Sequence, residues 1–251
     1  MNVDTAPEIA VVVPAHNEAE NVGPLIDEIA TALKGRSFEM VFVNDGSTDA
    51  TAKALAVSGT RHPELRVVRH KRACGQSTAI VSGVRAARAG IIVTMDGDGQ
   101  NDPADAPALI DTYKDNGGGD FLLIAGHRVN RRDTWLKRVS SKVANGVRGG
   151  LLRDATPDTG CGLKVFSRQA FLHMPAFNHM HRFLPALMIR AGGQVQSVPV
   201  NHRPRMLGVS KYGLWNRLWV GIVDIFGVIW LIRRAANPEL DESSNSEGKR
   251  S

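Results

Sequence analysis

The chain has 251 residues, 43% of them hydrophobic, with 31 Lys and Arg against 25 Asp and Glu for a formal net charge of +6. That is enough apolar material for one α/β domain, and its only cysteines, Cys74 and Cys161, lie far apart; they point to reduced thiols and offer no zinc-binding spacing. Much of the basic excess falls between His127 and Arg234 without a helix-turn-helix, zinc-finger or aromatic RNA-binding signature, so no nucleic-acid partner is expected and an anionic lipid phosphate suits it better.

In chain order, Met1 to Glu8 is polar and the apolar run from Ile9 is short, so no secretory signal is expected. Ile9–Val13 reads as a strand, broken by Pro14 and followed by Ala15-His16-Asn17-Glu18. A helix from about Glu20 to Leu33 and a strand Glu39–Val43 come next. That strand runs into Asn44-Asp45-Gly46-Ser47-Thr48-Asp49, where Ser47 or Thr48 would cap a helix from about Ala50 to Val57. Leu65–Arg69 reads as a strand, Ser77–Arg88 as a helix ending at Gly90, and Ile91–Met95 as a further strand. Asp105–Asn116 is helical until Gly117-Gly118-Gly119 stops it, and Phe121–Ala125 is the next strand. This alternation predicts a mostly parallel sheet with helices on both faces, which binds ligands at the carboxyl ends of its strands.

Three of those strands deliver polar residues at that edge. The third, Ile91 to Met95, ends in Asp96-Gly97-Asp98-Gly99-Gln100. Two carboxylates at i and i+2 share one face of an extended chain, and the glycines free the backbone to let them converge on one cation. Hard oxygen ligands suit Mg²⁺ or Mn²⁺, ions that commonly work with substrate phosphates. The plainer reading is an acidic turn capping a strand. An EF-hand starting at Asp96 is excluded, because its glycine position holds Asn101 and its closing glutamate position holds Pro107. Gly75-Gln76-Ser77 opens a helix whose first N–H groups could meet an anion, and Cys74 beside it reads as a small packed residue.

Together, Val-Val-Pro-Ala-His-Asn-Glu, Val-Asn-Asp-Gly-Ser-Thr-Asp and Met-Asp-Gly-Asp-Gly-Gln resemble glycosyltransferase family 2, and within it the dolichyl- or polyprenyl-phosphate sugar synthases. The resemblance runs from about Ile9 to Tyr212 and implies a glycosyltransferase-A fold, a Rossmann-like α/β domain. It implies that Pro14, His16 and Glu18 form a nucleotide-contacting loop, that Asp45 accepts from the base or ribose, and that Asp98 and Gln100 ligate Mg²⁺ or Mn²⁺. Asp96 would contact the ribose or complete the metal shell. Helix capping is the plain alternative for Asp45, and a surface-loop role for His16. On the acceptor side the resemblance assigns Arg128 (in Gly126-His127-Arg128), Lys137, Arg138, Ser141, Arg205 and Lys211 to a lipid phosphate, with Asp158 orienting its loop or acting as a base. Any one of these arginines, taken alone, reads as a solvated surface residue.

Residues 214 to 232 carry Trp215, Trp219 and Trp230, with Arg217, Arg233 and Arg234 among or beside them. The apolar stretch would make a helix of roughly 22 Å, against about 30 Å of bilayer hydrocarbon. Tryptophans and arginines suit a helix lying in the interface. A buried helix and a homo-oligomer helix are the alternatives. The expected organisation is therefore a catalytic domain over 1–212, a membrane-docking helix over 213–236 and a disordered tail over 237–251.

The expected reaction is inverting transfer of a sugar from a GDP- or UDP-sugar to a polyprenyl phosphate at the cytosolic membrane face. A lipid phosphate is already an anion and needs orientation rather than deprotonation, whereas a sugar hydroxyl needs a base. Two other readings stay open: a family 2 transferase acting on a saccharide hydroxyl with Asp158 as base, and a non-catalytic sugar-nucleotide-binding membrane scaffold. The complete Asp96, Asp98 and Gln100 set argues against the scaffold.

Overall fold

A computed structural model of the chain describes residues 6–129, 156–204 and 214–235, the last with side chains from residue 223 onward. In its first half strands and helices alternate as the sequence predicts: β1 (Ile9–Ala15), α1 (Val22–Ala32), β2 (Phe38–Asp45), α2 (Thr51–Gly59), β3 (Leu65–His70), α3 (Gln76–Ala86), β4 (Ile91–Thr94), α4 (Ala106–Asp115) and β5 (Leu122–Arg128). Then come β6 (Lys164–Ser167), α5 (Arg168–His173), α6 (Leu184–Arg190), β7 (Gln194–Val200) and α7 (Leu214–Arg233).

The seven strands form one sheet in the order β3-β2-β1-β4-β6-β5-β7. β1 pairs in parallel with both β2 and β4, and β5 in parallel with β7. β6 runs antiparallel between β4 and β5, with Lys164 opposite Thr94 on one side and Ala125 on the other. The start of β6 therefore lies at the edge where β1, β4 and β5 end.

β1 shows why these strands are apolar throughout. Ile9, Val11 and Val13 join one buried cluster with Ile26 and Ile29 of α1 and Leu109 of α4. Ala10 and Val12 join a second cluster with Ile80 and Val84 of α3. A strand covered on both faces has no solvent side to make polar. On β2, Glu39 is 1% exposed; its carboxylate accepts from the backbone N–H of Arg88 at 2.5 Å and of Ala89 at 3.2 Å, and from Arg66 Nη1 at 3.0 Å.

The cap expected for α2 is different. Neither Ser47 nor Thr48 caps it; Asp49 Oδ1 accepts from Thr51 N at 2.9 Å. Ser47 Oγ instead accepts from Asn17 N at 3.0 Å, and Thr48 N donates to Asn17 Oδ1 at 2.8 Å. The two hydroxyl residues are thus spent on joining the loop after β1 to the loop after β2.

α7 packs Val228 into the second cluster with Ile225, Ile229 and Ile232 against its rim. Asp224 Oδ2 lies 2.9 Å from His179 Nδ1, and Arg190 Nε donates to the Leu231 carbonyl at 2.8 Å. Val223, Phe226 and Trp230 point away from the domain, 67%, 68% and 61% exposed. Among the described residues no helix is long and apolar enough to cross a membrane.

Candidate active site

The carboxyl ends of β1, β2, β4 and β5 bring most of the predicted residues to one edge. The order β2-β1-β4 puts the reversal of winding at β1, the place where open α/β sheets form a ligand crevice. Pro14 is the last residue but one of β1, and His16 follows the strand with its Nδ1 2.7 Å from the Asp45 carbonyl. Glu18 N donates to Thr51 Oγ1 at 2.8 Å, and Glu18 Oε2 accepts from Asn21 Nδ2 at 2.6 Å. The loop bearing Pro14, His16 and Glu18 is therefore tied through His16 and Asn17 to the Asp45 loop and through Glu18 to the start of α2.

Asp45 is buried at the end of β2. Its Oδ1 accepts from His70 Nδ1 at 2.7 Å and Cys74 N at 2.8 Å, and its Oδ2 from Gly75 N at 2.8 Å. Those donors satisfy the carboxylate internally and lock the 72–75 loop onto the 45–46 turn. Gly46 makes this possible: its φ is +61°, and a methyl group there would overlap the backbone of Arg72 and Ala73.

Asp96 and Asp98 leave β4 together. Asp96 N donates to Asn101 Oδ1 at 2.9 Å, and Asp98 Oδ1 accepts from Gln100 N at 3.2 Å, with Gly99 at φ +72° completing the turn. The segment after β7 braces that turn: Arg203 N donates to the Gln100 carbonyl at 3.0 Å, and His202 forms an isolated bridge with Asn101. Gln76 Nε2, from the first turn of α3, reaches Asp96 Oδ1 at 2.8 Å. From the other side Gly162 lies flush against the Asp96 carboxylate, where any side chain would collide with it.

Burial, and then the charge of Asp98, push the Asp96 carboxyl up to about 6, against the pull of Lys164, Arg128 and the Gln76 hydrogen bond. A buried carboxylate whose proton affinity is raised by a neighbouring carboxylate marks a site short of positive charge. Gln100, expected from the sequence as a further ligand, would add an amide oxygen, and such hard oxygen donors fit Mg²⁺ or Mn²⁺. Lys164, 3% exposed, supplies a cation from below; its Nζ donates to the carbonyls of Thr159 and Cys161, and burial lowers its pKa.

Arg128 ends β5. Its Nε donates to Asp158 Oδ2 at 2.6 Å and its Nη2 to Asp158 Oδ1 at 2.7 Å, while its backbone N reaches Oδ2 at 3.3 Å. Burial would lower the Arg128 pKa, but the Asp158 hydrogen bonds and charge outweigh it and hold it above the ordinary value. A fixed guanidinium at this edge presents its remaining N–H groups in a known direction.

The predicted acceptor residues Lys137, Arg138, Ser141, Arg205 and Lys211 lie outside the described residues. Three residues that sequence reasoning gave no side-chain role prove central: Gln76, Asn101 and Gly162 all hold Asp96. The Gly75-Gln76-Ser77 helix start pointed to backbone N–H groups, whereas the side chain of Gln76 makes the contact.

Residues 10–174 match the model of glycosyl transferase family 2. The chain is 35% identical over 237 residues to a dodecaprenyl-phosphate galacturonate synthase of Rhizobium johnstonii, covering 92% of this chain and 69% of that one. It is 30% identical over 210 residues to an undecaprenyl-phosphate 4-deoxy-4-formamido-L-arabinose transferase of Edwardsiella ictaluri, covering 82% of this chain and 63% of the relative. Among solved structures, the mannosyltransferase of Pyrobaculum calidifontis in complex with GDP-Man and Mn²⁺ superposes with a TM-score of 0.67 at 22% identity, over 93% of this chain and 66% of that one. Mannosyl-3-phosphoglycerate synthase from Rubrobacter xylanophilus superposes at 0.68 with 17% identity, over 95% and 80%. These structures share the glycosyltransferase-A arrangement of a mostly parallel sheet flanked by helices. Sheet, carboxylate pair and family match agree, and the chain belongs to glycosyltransferase family 2.

Proposed function

We propose that the chain transfers a sugar from a GDP- or UDP-sugar to a polyprenyl phosphate. The names of its sequence relatives support that class of acceptor. The observation that carries the choice is the Arg128–Asp158 pair: both oxygens of Asp158 are engaged by one guanidinium at 2.6 and 2.7 Å. A carboxylate held this way orients an arginine and is poorly placed to take a proton from a sugar hydroxyl. An arginine held this way suits a phosphate, which needs orientation and charge screening but no base.

In this reading the loops after β1 and β2 hold the nucleoside, through Pro14, His16, Glu18 and Asp45. Asp96, Asp98 and Gln100 hold Mg²⁺ or Mn²⁺, which when bound neutralises charge developing on the departing nucleoside diphosphate. Gln76 and Gly162 fix the rotamer of Asp96, and Arg128 directs the acceptor phosphate toward the anomeric carbon. Attack opposite the leaving group inverts that carbon. Arg205, Lys137, Arg138, Ser141 and Lys211 complete the acceptor site by family resemblance. The exposed stripe of Val223, Phe226 and Trp230, at i, i+3 and i+7 on one helix face, supports docking of α7 on the cytosolic membrane surface, where the lipid acceptor lies.

The test varies the acceptor. Arg128→Ala raises the apparent requirement for polyprenyl phosphate about tenfold or more, the loss expected for a charge-assisted hydrogen bond, with donor KM changed less. Asp158→Asn retains measurable transfer. An inactive, folded Asp158→Asn protein, together with a near-normal Arg128→Ala protein that accepts a free saccharide, overturns the proposal.

A further inference from the structure

We propose that Asp45, His70 and Cys74 form a second cation site, for a borderline-soft divalent ion of the Zn²⁺ class, separate from the oxygen-only set at Asp96, Asp98 and Gln100. One ligand atom from each of the three residues lies within 4.8 Å of the others. Their chemistry is thiol, imidazole and carboxylate. A thiolate is a poor partner for Mg²⁺ or Mn²⁺ but a strong one for Zn²⁺, which commonly takes three protein ligands and keeps a fourth position open.

The surroundings fit an ion as well as the ligands do. His70 Nε2 lies 2.9 Å from Ser82 Oγ. A ligating histidine needs such a partner on its other nitrogen to fix its tautomer. The neutral ring would then carry its proton on Nε2, donate it to Ser82, and offer the Nδ1 lone pair to the ion in place of its present contact with Asp45. The Cys74 thiol, which now donates to the Arg72 carbonyl at 3.3 Å, would lose its proton to solvent, so one proton leaves per ion bound. Thiolate and carboxylate together balance the ion's charge. Cys74 is exposed, which gives the ion a way in. The N–H groups of Cys74 and Gly75 already bind the Asp45 carboxylate, and Gly46 seats the two loops against each other, which keeps the three residues together.

Asp45 is also the residue that the proposed function assigns to the donor's nucleoside. An ion at this site and the nucleotide should therefore exclude each other; this consequence rests on the proposed function, while binding of the ion does not.

The probe is Co²⁺, titrated into the full chain under a non-thiol reductant and followed by absorption. The expected result is one equivalent bound with a thiolate-to-cobalt charge-transfer band that Zn²⁺ displaces and excess Mg²⁺ does not. The band persists in Cys161→Ala and disappears in Cys74→Ser. In Ser82→Ala the ion binds about 10- to 100-fold more weakly, the usual cost of losing a histidine's outer partner. A wild-type chain without the band, or a Cys74→Ser chain that keeps it, overturns the proposal. Adding UDP or GDP as the Mg²⁺ complex, so that the phosphates do not strip cobalt, should remove the band. A band that survives saturating nucleotide leaves the cation site standing and overturns the assignment of Asp45 to the nucleoside.

Discussion

Replacing Asp96 by Asn should make the metal-free protein more stable while abolishing transfer. The folded chain raises the Asp96 carboxyl from the ordinary 3.8 to about 6, burial first and the charge of Asp98 second. Folded and unfolded states are both ionised above about pH 6, and there the folded state bears the full cost of the charge. As pH falls from about 6 toward 3.8 the folded state takes up a proton that the unfolded state lacks, so this carboxylate makes stability rise with acidification. The difference corresponds to about 3 kcal/mol at most, and to about 1–2 kcal/mol once solvent at this partly exposed group is allowed for. Asparagine keeps the shape and the Oδ1 acceptor for Gln76 but removes the charge. At pH 7.5 without metal the variant should melt about 2–8 °C above wild type, given the usual 2–4 °C per kcal/mol for a chain of this size. Mn²⁺ reverses the order. At a hundredfold excess over its Kd, a bound ion stabilises the wild type by about 2.7 kcal/mol, and the variant gains little. Thermal denaturation of both proteins with and without Mn²⁺, alongside a transfer assay, reads all of this. A variant that melts below wild type in EDTA, or one that gains as much from Mn²⁺, refutes the reasoning.

Gly162→Ala should leave the fold in place and cost on the order of a hundredfold in kcat, because the new methyl displaces the Asp96 carboxylate, and circular dichroism with a transfer assay separates the two effects. Glu39→Gln should destabilise by about 3 kcal/mol in urea, since it leaves Arg66 and the Arg88 and Ala89 N–H groups without their buried charge. Burial works to raise the Glu39 pKa, but those hydrogen bonds prevail and lower it, so its contribution is full above the ordinary carboxylate range and is lost as pH falls through the lowered value, the opposite sign to Asp96. Phe226→Ala with Trp230→Ala should weaken sedimentation with anionic liposomes and leave transfer to a short, soluble acceptor unchanged; equal sedimentation refutes the docking role of α7.

The first half of the fold was readable because each of its strands is a short apolar run that stops at a polar turn, and the helices between them carry a helical apolar period. β1, β2 and β4 therefore announced both the sheet and its ligand edge. β6 announced neither. Four residues, Lys164 to Ser167, hold too little pattern to be read as a strand, and their antiparallel insertion between β4 and β5 depends on pairing with residues 70 to 76 positions away in β4 and 39 to 43 away in β5. Yet that insertion sets the site, because it carries Asp158 to Arg128, Gly162 to Asp96 and Lys164 beneath both. Hydroxyl residues misled for a related reason. Ser47 and Thr48 have the right chemistry and place to cap α2, but the Asn17 loop competes for them, and Asp49 takes the first N–H of the helix, that of Thr51. The Asp45, His70 and Cys74 cluster shows the limit most plainly. His70 and Cys74 contact Asp45 across sequence separations of 25 and 29, so no spacing rule for metal ligands reaches them. They meet because β2 and β3 are parallel neighbours in register, Asp45 opposite His70. Sequence periodicity reports what a segment buries; only the pairing of strands reports which polar ends face one another, and in this chain the chemistry depends on that second kind of information.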